Sequence, residues 1–268
     1  MTIELKTDEI QFERRGDEGE LAWVTFNRPQ ARNALTFAMY EAVHDISVEA
    51  NRDRSIKVIV FAGAGGKAFA AGTDISQFRA FETEQDALDY EGRMDRVLNA
   101  LEAVRVPTVA AIQGACTGGG AGIASACDMR IGSPSTRFGF PIARTLGNTL
   151  SMGNFVRLSV LVGPARVKDI IFTSRLVEAD EARAIGWLNE VTPDEDSLPV
   201  RAEELARTLA GQAPLTLATT KEALRRIREQ MAPKDGGHDL VVQAYMSHDF
   251  KEGVEAFLGK RKPTWTGS

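Results

Sequence analysis

At 268 residues, with 43% hydrophobic content and 37 acidic against 32 basic side chains, the chain can bury a substantial core and carries a net charge of −5. No basic block tracks a phosphate backbone, so nucleic acid is excluded as an expected partner. Two cysteines, Cys116 and Cys127, cannot staple a chain of this size, and the acidic start MTIELKTDEI lacks the basic and apolar regions of a secretory signal, which points to a reducing, cytoplasmic setting.

Two short runs open the chain, Ile10 to Arg15 and Leu21 to Asn27, and the second has the β-branched and aromatic content of a strand. From Thr36 to about Arg54, Phe37, Tyr40, Val43 and Ile46 recur at helical spacing, and the apolar run KVIVFAG then reads as a strand. Thr83 to Val104 predicts a helix leading into the strand TVAAIQG, followed by a short helix from Gly119 to about Ala126 and the strand MRIGS. The most apolar stretch, Val106 to Ile131, is interrupted by Gln113, glycines, Asp128 and Arg130, so no membrane span is expected. Strands alternating with helices imply parallel pairing through crossovers, hence an α/β fold. Past Ser197 the segments ELARTLAGQ, LTLATTKEALRRIREQ and DLVVQAYMSHDFKEGVEAFLGK read as helix without an intervening strand. The expected division is an α/β core over 1–196 and a helical region over 197–268, whose apolar faces call for burial against another subunit.

Two glycine-rich segments, Gly63 to Ile75 and Gly114 to Asp128, each follow an apolar strand. Gly66-Lys67 is followed by Ala68, so the hydroxyl of a phosphate-binding loop is missing, and neither segment has the G-x-G-x-x-G spacing of a dinucleotide site. Tight turns alone would explain single glycines, but the run Gly118 to Gly120 exceeds what a turn requires. Such a run lets a ligand carbonyl approach bare N–H groups at a helix N-terminus, where developing negative charge is favoured. That is half of an oxyanion hole, and the turn Ala71-Gly72-Thr73 can supply the other half. Each preorganised donor contributes about 3 to 4 kcal/mol once the charge forms.

With these residues in place, KAFAAGTDI (Lys67 to Ile75) resembles the first oxyanion-hole motif of the enoyl-CoA hydratase/isomerase (crotonase) family, and AIQGACTGGGAGIASACD (Ala111 to Asp128) resembles the second. NRPQARNAL (Asn27 to Leu35) resembles the family's CoA-gripping turn, and KEGVEAFLGKRKPTW (Lys251 to Trp265) its C-terminal signature. The resemblance implies a spiral of repeated ββα units with a helical C-terminal region that builds homotrimers, commonly paired into hexamers. It implies that the backbone N–H groups of Thr73 and Gly119 bind a thioester oxygen. Gln30, Ala31 and Arg32 would line the CoA channel, Ala71, Asp74 and Ile75 would lie beside CoA with the last two near its adenine, and Phe257 and Lys260 would contact CoA as well. Coenzyme A enters as part of an acyl-CoA substrate; no resident cofactor and no metal are implied.

The chain also departs from that pattern. Where hydratases of the family carry two glutamates, it has Gly122 and Ile142, or Ala143 if the segment FGFPIARTLG is aligned one residue later. Syn hydration of an enoyl thioester needs a base for water and an acid for the α-carbon, each worth about 10²- to 10⁴-fold. Their loss counts against efficient hydration, whereas enolate stabilisation, which rests on the oxyanion hole, survives it. Arg144 could pair with a carboxylate on the acyl group, or else sit in a structural salt bridge or face solvent. Asn148 could orient a water or, on residue preference, cap the helix that follows. His44, His238 and His248 are read as surface or core residues, and Cys116 and Cys127 as packing residues without a basic partner. The leading reading is an acyl-CoA enzyme of lyase or isomerase type acting through a thioester enolate; the alternatives are a non-catalytic acyl-CoA-binding protein and a thioester hydrolase.

Overall fold

The computed structural model describes residues 5–233 and 236–268, so the first four residues of the acidic start lie outside it. In chain order the strands are β1 (Ile10–Arg15), β2 (Leu21–Phe26), β3 (Val58–Gly63), β4 (Ala68–Ala70), β5 (Thr108–Ile112), β6 (Ala115–Thr117), β7 (Met129–Gly132), β8 (Arg137–Gly139), β9 (Val177–Glu178) and β10 (Glu190–Val191). The helices are α1 (Phe37–Arg52), α2 (Glu84–Glu102), α3 (Gly119–Ala126), α4 (Ile142–Thr145), α5 (Met152–Val162), α6 (Pro164–Thr173), α7 (Ala179–Ala184), α8 (Ser197–Ala210), α9 (Pro214–Glu229), α10 (His238–Tyr245) and α11 (His248–Leu258). None of the described helices is long and apolar enough to cross a membrane.

The strands fall into two sheets. A large one runs β1-β2-β3-β5-β7-β10 and a small one runs β4-β6-β8-β9. β3, β5 and β7 belong to the first; the strand after each, β4, β6 and β8, belongs to the second. After each such pair comes a helix, so the unit is ββα, repeated three times, with parallel pairing from β2 through β10 in the large sheet and from β4 through β8 in the small one. The α/β class and the ββα spiral expected from the resemblance are what the structure has. The apolar runs in the sequence mark the large-sheet strands up to β7, whereas the two-residue β10 and the short strands of the small sheet carry no such mark.

The long helices start where the sequence can cap them. Thr36 accepts the Met39 N–H to open α1, and Thr83 with Asp86 forms a reciprocal capping box that opens α2. Between Asp74 and α2 lies a 3₁₀ turn, Ile75–Ala80. One core fills the space between the sheets and α1, α2 and α3. A second lies under α8, where Leu198, Ala202, Leu205 and Ala206 pack on Leu21, Trp23, Val58, Val60 and Val109 of the large sheet. α9 is different. Among its described side chains only Arg228 is buried, while Leu215, Leu224 and Ile227 are more than half exposed.

Candidate active site

The small sheet sets the position of two chain reversals that meet. The first begins at Asn33, a fully buried residue with φ +54°, whose Nδ2 donates to the carbonyls of Ala64 (2.9 Å) and Ala68 (2.7 Å) while its Oδ1 accepts the Arg28 N–H (2.9 Å). Those bonds tie the Asn27–Leu35 turn to the β3–β4 link, and Leu35 then pairs with Thr73 in an isolated parallel bridge. The bridge uses the Gly72 carbonyl and the Asp74 N–H, so the Thr73 N–H points away from Leu35 and has no partner among the described residues.

The second reversal is the glycine run. Gly118 has φ +52° and ψ −121°, a conformation that side chains with a Cβ rarely adopt, and it turns β6 directly into α3. A Cβ on Gly120 would stand 2.3 Å from the Ala70 carbonyl, and one on Gly119 would stand 1.9 Å from the Tyr40 hydroxyl and 3.0 Å from Thr73 Oγ1. The first N–H groups of α3, Gly119 included, precede the first intrahelical bond, from Gly122 N–H to the Gly118 carbonyl. The Thr73 side chain is held by two phenols, with Tyr40 Oη at 2.8 Å and Tyr90 Oη at 2.9 Å.

Both reversals line one cavity of about 530 Å³. Of the residues singled out from sequence, Thr73, Gly119, Arg144 and Asn148 are in its wall, as are Ala31, Arg32, Ala71, Asp74, Ile75 and Phe257. Gln30 and Lys260 are exposed and stand off the lining, Gln30 in the 3₁₀ turn Pro29–Ala31 and Lys260 just past α11. Asp74 pairs with Arg28 at 3.1 Å and caps the 3₁₀ turn after it; partial burial works against its charge, but the hydrogen bonds from Ser76 and Arg28 keep its carboxyl below the usual range.

Gly122 and Ile142 both line the cavity. Ala143, the other alignment of this segment, is exposed and outside the lining. Arg144 is exposed at the rim and, among the described residues, has no ion-pair partner, so the salt-bridge reading is replaced by a solvent-facing guanidinium at the cavity mouth. The capping reading of Asn148 also gives way. The residue capping α5 is Ser151, which accepts the Asn154 N–H at 3.2 Å, and Asn148 instead donates to Tyr245 Oη at 3.0 Å. None of the three histidines is in the cavity wall, and burial pushes both cysteine thiols up.

One wall residue went unread in the sequence. Glu91 of α2 is 6% exposed, accepts the Tyr245 hydroxyl at 2.5 Å and the Ser151 N–H at 3.0 Å, and lines the cavity beside Met94 and Leu98. Burial pushes its carboxyl up to about 7, with Asp95 adding to the rise and the bonds from Tyr245 and Ser151 opposing it. The signal was present. Ala87, Glu91, Met94, Leu98 and Leu101 follow one another at helical spacing, and a glutamate in an apolar stripe asks for an explanation.

The sequence profile of the enoyl-CoA hydratase/isomerase family matches residues 16–268. The chain belongs to that family. It is 35% identical over 255 residues to the short-chain-enoyl-CoA hydratase of Clostridium acetobutylicum, which covers 91% of this chain and 94% of that protein. Among solved structures, an enoyl-CoA hydratase/carnithine racemase from Magnetospirillum magneticum superposes with TM-score 0.78 at 33% identity over 98% of this chain and 97% of its own. A methylmalonyl-CoA decarboxylase in complex with 2-nitronate-propionyl-CoA superposes with TM-score 0.87 at 25% identity, over 97% and 99% of the two chains. Membership in the enoyl-CoA hydratase/isomerase family supports an acyl-CoA thioester as the substrate.

Proposed function

We propose that the chain is an acyl-CoA enzyme that holds a thioester carbonyl between the backbone N–H groups of Thr73 and Gly119 and stabilises the enolate formed from it. The observation that carries this reading is the meeting of two unpaired backbone donors, from two separate loops, on one cavity. Each such donor lowers the barrier by about 3 to 4 kcal/mol as charge develops on the oxygen. Arg32, Asp74 and Ile75 would flank CoA, with Phe257 covering it. Gln30 and Lys260, which stand off the cavity in one subunit, would reach CoA only along its exposed length or from a neighbouring subunit.

Two-glutamate hydration is not the chemistry this wall supports, because neither Gly122 nor Ile142 can move a proton. The names of the curated relatives favour hydration, and the missing carboxylates oppose it. Reactions that pass through an enolate without that pair fit better: isomerisation, carbon–carbon cleavage, or loss of CO₂ from a malonyl-type thioester. A mass-spectrometric screen against enoyl-, β-keto-, malonyl-type and 3-hydroxyacyl-CoA, including crotonyl-CoA, decides. Turnover confined to a thioester other than crotonyl-CoA is expected. Rapid hydration of crotonyl-CoA would refute the reading, free thiol would point to a hydrolase, and tight binding without turnover would point to an acyl-CoA-binding protein.

Arg144 provides a second handle on the acyl group. As an unpaired cation at the rim, it is expected to favour thioesters with a terminal carboxylate, and Arg144→Ala should weaken malonyl-type binding about five- to tenfold, a charge-assisted bond discounted for solvent. Calorimetric Kd values for a malonyl-type and a butyryl thioester check this. An equal loss for both would place the guanidinium on the CoA phosphates instead.

Self-association is part of the same proposal. Helix α9, which leaves Leu215, Leu224 and Ile227 more than half exposed, buries almost nothing within its own chain, which suits a homotrimer or a pair of trimers, measurable by light scattering.

A further inference from the structure

Helix α2 carries two buried glutamates in opposite surroundings. Glu102 lies between two guanidinium groups, with Arg157 Nε at 3.1 Å and Arg228 at 2.8 Å, and is a structural ion-pair partner between α2, α5 and α9. Glu91, eleven residues earlier, has no cation within salt-bridge distance among the described residues and opens on the acyl cavity. A buried carboxylate without a counter-charge destabilises the fold when ionised, and such groups are kept where a reaction uses them.

Its surroundings fix the carboxyl rather than neutralise it. Tyr245 of α10 donates to one oxygen, and the Ser151 N–H ahead of α5 donates to the other. Asn148 Nδ2 donates in turn to Tyr245 Oη, while Asn148 Oδ1 is buried with no hydrogen-bond partner in the structure. The chain has three tyrosines, Tyr40, Tyr90 and Tyr245, and all three line this cavity. Two of them hold Thr73 beside the oxyanion donors and the third holds Glu91, so hydroxyl groups orient both ends of the same site.

We propose that Glu91 is the proton-transfer residue of this site, a role that rests on the thioester-enolate reading above. The Glu91 carboxylate takes a proton from the α-carbon of the bound thioester. That C–H bond breaks as the O–H bond on Glu91 forms, and the electron pair passes into the carbonyl, whose oxygen is held by the Thr73 and Gly119 N–H groups. Returning the proton to carbon reverses the same electron flow and regenerates the carboxylate. A single carboxylate suffices for this removal and return, whereas hydration needs two groups acting on water and carbon together.

The titration of Glu91 suits both halves of the cycle. With its carboxyl near 7, both forms are populated at neutral pH. The titratable groups facing it are the neutral, buried phenols of Tyr40 from α1 and Tyr245 from α10, Tyr90 on its own helix, and Asp95, which is engaged by Ser151 Oγ at 2.8 Å and by Arg157 of α5 at 3.6 Å.

The test is uptake of deuterium at the α-carbon of butyryl-CoA in D₂O, followed by mass spectrometry. The wild-type protein is expected to exchange, with a rate that rises with pH and levels off above about 7. Glu91→Gln should slow exchange by about 10²-fold or more while changing the butyryl-CoA Kd less than threefold. Folding supplies a control. A carboxyl raised in the folded state loses stability as pH climbs from its unfolded value through about 7, so Glu91→Gln should melt higher than wild type at pH 8 and equally at pH 4. Exchange by Glu91→Gln within threefold of wild type overturns the proposal. If removal of the Gly119 donor still abolishes that exchange, the thioester reading stands without it. Absence of exchange in the wild type overturns the Glu91 role, and binding of butyryl-CoA then decides whether the thioester reading survives.

Discussion

Gly119→Pro, made in a Tyr40→Phe background, is expected to lower turnover of the preferred acyl-CoA by about 10²- to 10³-fold, the effect of deleting one oxyanion donor. Proline is chosen because it removes the N–H at the first position of α3, where its fixed φ matches a helix start. The background is needed because a Cβ at Gly119 would sit 1.9 Å from the Tyr40 hydroxyl, and relieving that clash in the native protein would disturb Thr73 as well. Without the hydroxyl, the nearest remaining atoms are Thr73 Oγ1 at 3.0 Å and the ring Cζ at 3.2 Å, contacts a shift of a few tenths of an ångström relieves. Tyr40→Phe alone removes one of the two bonds to Thr73 Oγ1 and leaves both backbone donors in place, so it should cost only a fewfold. Steady-state kinetics of the two variants, with thermal unfolding to confirm the fold, isolates the donor. A double variant within a fewfold of Tyr40→Phe would remove Gly119 from the oxyanion hole.

What could be seen in advance depended on how locally each feature is encoded. The strands β2, β3 and β5 were legible because each is an apolar, β-branched run buried on both faces. α3 was legible to the residue because its glycine run marks its start. The strands β4, β6 and β8 were not, since three residues such as Ala68–Ala70 carry almost no propensity and become strands only by pairing, Ala68 with Ala115 and Cys116 with Phe138. The same holds at the site. The oxyanion donors are backbone groups announced by glycine, and they could be read from sequence. Glu91 is announced only by its place in the stripe of α2, and its importance depends on contacts that span from Glu91 to Tyr245 across the chain. Asn148 was assigned a cap on residue preference, but Ser151, three residues before Asn154, was equally good and closer to the helix.

Placing carboxylates at positions 122 and 142 is expected to create two-glutamate hydration. Gly122→Glu with Ile142→Glu is expected to raise hydration of crotonyl-CoA by about 10²- to 10⁴-fold over the wild-type protein, the range one acid or base contributes. The structure leaves room for the first. A Cβ on Gly122 would meet only Leu98 Cδ1 at 3.6 Å and Asn154 Oδ1 at 3.8 Å, ordinary contacts, and replacing glycine within a helix is worth up to about 1 kcal/mol. Ile142 opens α4, where unpaired N–H groups favour an acidic side chain, although losing its burial costs about 1 to 2 kcal/mol. Ala143→Glu serves as the control: it is exposed and outside the cavity wall, so pairing it with Gly122→Glu should give no gain. Loss of the enoyl thioester absorbance reports the rate. A double variant that folds and binds crotonyl-CoA but hydrates no faster would show that the segment Phe138 to Asn154 holds the carboxylate at position 142 out of line, and that these two positions do not limit hydration in this chain.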